Sequence, residues 1–138
     1  MIGPKEINKA AAVNRVSDRQ IEKDYVLSWV LFAISKNTTL NNALVFKGGT
    51  TLKKAYFENY RFSEDLDFTL LDESVSNEQI LAEFKNLFEF IREEANIAMR
   101  IEDKKWTIHE SGSPQFYIDY VASLQGNMGS RDLKIDIT

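Results

Sequence analysis

Phe46-Lys-Gly-Gly-Thr-Thr-Leu-Lys-Lys-Ala-Tyr56, followed by Arg61-Phe-Ser-Glu-Asp-Leu-Asp-Phe68, is the stretch that decides how this chain reads. Ala43-Leu-Val-Phe46 is short, apolar and rich in strand formers, so it predicts a buried strand ending at the glycines. A helix is expected to open just after them. Gly48 and Gly49 permit close backbone approach to a ligand. The free N–H groups of a helix starting at Thr50 or Thr51 would point at an anion there. The spacing matches neither a GxxxxGK[ST] P-loop nor the GxGxxG of a dinucleotide fold. In Asp65-Leu-Asp-Phe-Thr-Leu70, strand alternation puts Leu66, Phe68 and Leu70 on one face and Asp65, Asp67 and Thr69 on the other.

Two carboxylates on one strand face repel unless a cation lies between them. Hard oxygen ligands of this kind suit Mg²⁺, which takes one or two carboxylates together with substrate phosphate oxygens. A third acid is expected from the segment Leu133-Lys-Ile-Asp-Ile-Thr138. It alternates in the same way, with Leu133, Ile135 and Ile137 inward and Lys134, Asp136 and Thr138 outward. Asp136 is the candidate. A lone Gly-Gly is usually an ordinary turn, and a lone Asp-x-Asp is usually a solvated strand face. The order strand, Gly-Gly, helix, Asp-x-Asp strand, Asp-bearing strand is what joins a phosphate cradle to an acidic cluster.

These residues resemble the AbiEii/AbiGii nucleotidyltransferase toxins, a branch of the DNA polymerase β-like nucleotidyltransferase superfamily. Lys47-Gly-Gly-Thr-Thr-Leu-Lys-Lys-Ala-Tyr56 is similar to the family's glycine motif, and Arg61-Phe-Ser-Glu-Asp-Leu-Asp-Phe68 to its metal motif. Leu133 to Thr138 is similar to the strand carrying its third acid, and Ile21-Glu-Lys-Asp-Tyr25 to the helix that precedes the core. The resemblance implies that Asp65, Asp67 and Asp136 bind metal, and that Gly48, Gly49 and Thr50 hold the triphosphate. It places Lys54 at the basic position on the following helix. The implied activity is transfer of a nucleoside monophosphate from a nucleoside triphosphate to an acceptor, with release of pyrophosphate. A two-metal site holds its ions about 3.5–4 Å apart. The resemblance also suggests a toxin of a toxin–antitoxin or phage-defence system. Its acceptor would be RNA, at a tRNA 3′ end, and an antitoxin protein would be its partner. Family members commonly carry a further helical C-terminal half, so residues 1–138 read as the nucleotidyltransferase core, a fragment whose activity alone is in question. The competing class is a non-catalytic nucleotide-binding or interaction module of the same fold.

Composition agrees with one domain. With 138 residues, 43% hydrophobic and 28% charged, the chain can bury a core without disulfides. It has no cysteine, which excludes thiol catalysis and zinc–thiolate sites and fits a reducing compartment. Met1 to Lys5 lacks an apolar signal core, and the apolar run Tyr25 to Ile34 is too short to span a bilayer, so a cytoplasmic location is the default expectation. The net charge of −4 argues against coating nucleic acid through bulk positive charge. Lys47, Lys53, Lys54 and Arg61 nevertheless cluster around the glycine motif and make the positive field local. Lys47, Thr51, Arg61 and Ser63 therefore join the candidate nucleotide-binding residues, Ser63 also as a hydrogen-bond donor orienting Asp65 or Asp67.

The fold class expected is α/β (α+β), a mixed sheet with helices packed against it. Ser17 with Gln20 reads as a capping box before a helix of about 17 residues. Its apolar positions Ile21, Tyr25, Leu27, Val30, Leu31 and Ile34 face the core. Ser76 with Gln79 repeats the signal before a helix with Ile80, Phe84, Leu87, Phe88 and Ile91 at helical spacing. Ile97, Met99 and Ile101 alternate as a strand, with Trp106 to His109 pairing back on it. Phe116 to Leu124 reads as a long strand. Asn37 to Asn42, Leu71 to Val75 and Gln125 to Arg131 read as irregular.

His109, the sole histidine, has no partner assignable from sequence, and a structural or surface role outweighs a catalytic one. Asp119 is either solvated or close to the acidic cluster. Lys23, Asp24, Lys104 and Lys105 read as solvated charges.

Overall fold

The computed structural model describes residues 2–47, 65–102, 106–124 and 132–138. The glycine motif and the link to the metal motif, residues 48–64, lie outside them, as does the expected irregular stretch 125–131.

The first helix, α1 (Pro4–Asn14), begins with proline at its first turn, where a missing N–H costs nothing, and ends at Arg15 in the left-handed conformation. Nothing in the sequence reading anticipated it. α2 (Asp18–Lys36) is capped by Ser17, whose hydroxyl accepts from the Gln20 backbone N–H. It buries Ile21, Val26, Leu27, Val30, Ala33 and Ile34, while Tyr25 and Leu31 are half-buried. The stretch expected to be irregular after it is a short helix, α3 (Thr38–Ala43), capped by the Asn37 side chain accepting from Leu40 N–H. α4 (Asn77–Ala95) carries the full reciprocal capping box of Ser76 and Gln79, and its buried Ile80, Phe84, Leu87, Phe88 and Ile91 are the expected stripe.

The strands are β1 (Leu44–Lys47), β2 (Asp65–Leu70), β3 (Ala98–Ile101), β4 (Thr107–Ile108), β5 (Pro114–Val121) and β6 (Asp132–Ile137). They form one sheet in the order β1-β2-β6-β5-β3, with β4 also on β5. β2 and β6 run parallel; every other pair is antiparallel. Two expectations are corrected here. Among the described residues β1 is an edge strand and not a buried one: Leu44 is buried, but Val45 and Phe46 are 45% and 37% exposed. β4 does not pair back on β3. Both lie against β5, β4 at its start and β3 at its end.

One face of the sheet is apolar throughout. Leu66, Phe68, Phe116, Ile118, Leu133, Ile135 and Ile137 are fully buried with the inner faces of α2 and α4. Phe84 of α4 meets Phe116 of β5 edge to face at 5.1 Å between ring centres, the geometry that aromatic quadrupoles favour. A second small cluster, Ile7, Ala11 and Ile21, fixes α1 on α2. This core forces the opposite, polar face of β2, β5 and β6 outward, because side chains alternate strictly along each strand. No described helix is long and apolar enough to cross a membrane.

Candidate functional site

The polar face is built by register. Asp67 in β2 stands opposite Lys47 in β1 and, on its other side, Asp136 in the parallel strand β6. Asp136 in turn faces Gln115 in β5. A row Lys47–Asp67–Asp136–Gln115 thus crosses four strands at the sheet spacing of about 4.7–4.9 Å. One pleat along, Asp65 stands opposite Lys134, which faces Tyr117. Asp65, Asp67, Lys134 and Asp136 are all half-buried. The two strands that carry the three aspartates are neighbours and run the same way.

Among the described residues, the cations in register beside these carboxylates are Lys47 and Lys134. Lys47 is exposed, and its ammonium donates to the Thr138 hydroxyl, which draws the end of β1 towards the end of β6. Thr138 N–H donates to Phe68 C=O at 2.9 Å, and Leu70 N–H to Thr138 C=O at 2.8 Å, so the parallel ladder continues past Asp136. Beyond it lies a cavity of about 520 Å³, lined by Leu70, Glu73, Asn77, Ser111, Ser113 and Thr138 among others. This size lies within the range of small-molecule sites.

Asp136 has a partner that sequence reasoning missed. Its Oδ1 lies 2.5 Å from His109 Nε2, with the two side chains 21% and 29% exposed. His109 follows β4, and the turn after it is closed by His109 N–H to Ser113 C=O (2.9 Å) and Gly112 N–H to His109 C=O (2.8 Å). Gly112 has φ +92°, a conformation suited to glycine. The Asn77 amide at the start of α4 donates to Gly112 C=O at 2.8 Å and ties the turn to the helix. The sequence reading paired Trp106 to His109 with the preceding strand instead; the turn-forming Glu110-Ser-Gly-Ser113 was the signal from which this hairpin could have been found.

Asp119 is neither solvated nor part of the row. It is 1% exposed, opposite Arg100 in β3 and Asp132 in β6, and Arg100 Nη2 reaches its Oδ2 at 3.4 Å. Burial and the neighbouring Glu102 carboxyl raise its pKa to about 6, against the partial relief that Arg100 provides.

Among the described residues, no three His, Asp or Glu side chains are close enough together to form a metal cage by themselves. The donor set still fits a hard divalent cation. Mg²⁺ is typically held by one or two carboxylates, with substrate phosphates completing the shell, and Asp67 and Asp136 are an adjacent pair of that kind. Gly48, Gly49, Thr50, Thr51, Lys54, Arg61 and Ser63 all lie outside the described residues.

Comparison with curated proteins finds no match. A family model described as the nucleotidyl transferase AbiEii toxin of type IV toxin–antitoxin systems matches residues 29–138, from within α2 through all six strands. With most of its length covered by that match, the chain belongs to the AbiEii nucleotidyltransferase toxin family.

Proposed function

We propose that this chain is a Mg²⁺-dependent nucleotidyltransferase that moves a nucleoside monophosphate from a nucleoside triphosphate onto RNA. The observation that supports the reading most is the register of Asp67 with Asp136 on the polar face, with Asp65 one pleat away and Lys47 alongside. In this reading Asp65, Asp67 and Asp136 hold the cation. Bound there, Mg²⁺ would neutralise triphosphate charge and favour loss of the acceptor proton. The same reading assigns the triphosphate to Gly48, Gly49, Thr50 and Thr51, positive charge for it to Lys47, Lys54 and Arg61, and the orienting of Asp65 or Asp67 to Ser63.

The acceptor hydroxyl oxygen attacks the α-phosphorus in line. A new P–O bond forms, the bond from the α-phosphorus to the bridging oxygen breaks, pyrophosphate leaves, and the hydroxyl proton passes to solvent. No covalent intermediate on the protein is required, so the chain's task is positioning and charge stabilisation. A tRNA 3′ end as acceptor, a role in phage defence, restraint by an antitoxin and a cytoplasmic location extend the same reading.

Incubating the protein with labelled nucleoside triphosphates and total RNA tests it. The expected result is label in RNA and release of pyrophosphate, both abolished by a chelator. Tight nucleotide binding with no transfer in any RNA fraction would instead identify a binding module.

A further inference from the structure

The hydrogen-bond partner of the Asp136 side chain is not one of the other candidate ligands described but His109, at 2.5 Å. An ionised carboxylate has only acceptors, so in this contact Nε2 is the donor. The imidazole therefore occupies Oδ1 of Asp136 and leaves Oδ2 available, on a residue in register with Asp67. A carboxylate fixed in this way has lost much of its rotational freedom before any cation arrives. Such outer partners set the orientation of metal ligands.

The backbone is organised to present this ring. His109 lies at the end of β4, which is registered on β5 through Ile108 opposite Pro114. β5 is registered on β6 through Gln115 opposite Asp136. The turn His109–Ser113 is closed by two backbone hydrogen bonds, relies on the positive φ of Gly112, and is moored to α4 through Asn77. Thr107 and Ile108, the two residues before the ring, are exposed, whereas His109 is half-buried against the acid. A plain surface ion pair between flexible side chains would not need that support, and such pairs contribute little.

We propose that His109 is a positioning residue of the cation site: its Nε2–H holds the Asp136 carboxylate in the orientation that binds a divalent cation. This rests on the reading of Asp65, Asp67 and Asp136 as cation ligands. It adds a hairpin, β4–β5, to the parts of the fold on which that site depends.

Titration of Mn²⁺ into the full chain, followed by calorimetry and by the electron paramagnetic resonance signal of free Mn²⁺, tests the assignment without reference to turnover. His109→Ala is expected to weaken Mn²⁺ binding about 10–100-fold. His109→Gln, whose amide can donate from a similar position, is expected to restore most of that loss. Thermal melts without metal run in parallel, and a purely structural histidine would lower the melting temperature in both variants while leaving Mn²⁺ affinity unchanged. Wild-type affinity in His109→Ala overturns the proposal, and so does an equal loss in the Gln variant. Asp136→Ala separates the two levels. Weak binding there with normal binding in His109→Ala removes only the role of His109, whereas normal binding in Asp136→Ala removes the cation reading and the role of His109 with it.

Discussion

Single residues on the sheet differ in environment, and the effects expected of changing them differ accordingly. Asp67 has Asp136, the other candidate cation ligand, on one side and Lys47 on the other. Asp67→Ala is expected to abolish nucleotidyl transfer while circular dichroism stays unchanged, because the side chain is only half-buried and supports no core packing. Near-normal transfer in that variant would refute its role as a ligand.

Asp119 makes the opposite case, since it is buried and its pKa is raised to about 6. A carboxyl whose folded pKa exceeds its unfolded value binds more protons in the native state. The stability it contributes is therefore present at low pH and is lost as pH rises from about 4 through 6. Asp119→Asn should accordingly be more favourable, relative to wild type, at pH 7 than at pH 4.5. Urea midpoints at the two pH values would show this, and an equal difference at both would contradict it.

At the level of elements, what was legible in the sequence was what depends on local pattern. The alternation in Asp65–Leu70 and Asp132–Ile137, the capping box at Ser76 and the apolar stripe of α4 all lie within a few residues of chain. What was not legible depends on neighbours distant in sequence. Val45 and Phe46 are apolar enough to read as buried, but their strand has a partner on one side only among the described residues, so they are partly exposed. α3 is six residues of mostly polar chain, too short for any periodicity, and its start depends on one asparagine cap. The contact of His109 with Asp136 spans 27 residues and arises only when three strands are in register.

Two element-scale outcomes follow. Ser76→Ala removes the hydroxyl that accepts from Gln79 N–H and is expected to cost about 1 kcal/mol of stability. Gly112→Ala meets open space but places a Cβ at φ +92°. Its cost, about 1–3 kcal/mol, should fall on the hairpin. Amide hydrogen exchange at residues 107–115 would reveal that as faster local opening, while unchanged exchange there would show that the turn tolerates a side chain.

Across the whole molecule, an α/β sheet buries one face under α2 and α4 and carries the candidate site residues on the other. Phe116 links the two faces. Its ring is fully buried, 5.1 Å from that of Phe84 and 5.6 Å from that of Trp106, while the adjacent Gln115 stands opposite Asp136. Phe116→Ala is expected to cost about 3–5 kcal/mol, enough to threaten folding in a domain of this size. A chemical-denaturation midpoint close to wild type would contradict the packing described. The membership in the AbiEii family and the carboxylate register meet in one claim, that the face formed by β2 and β6 is where a divalent cation binds. Paramagnetic broadening tests this most directly. When substoichiometric Mn²⁺ is added to isotope-labelled protein, the amide signals of Asp65 to Phe68, Gln115, Asp136 and Ile137 are expected to vanish first, with those of α1 unaffected. Loss of signal centred on Asp119 and Glu102, or anywhere away from the Asp67–Asp136 pair, would contradict the account.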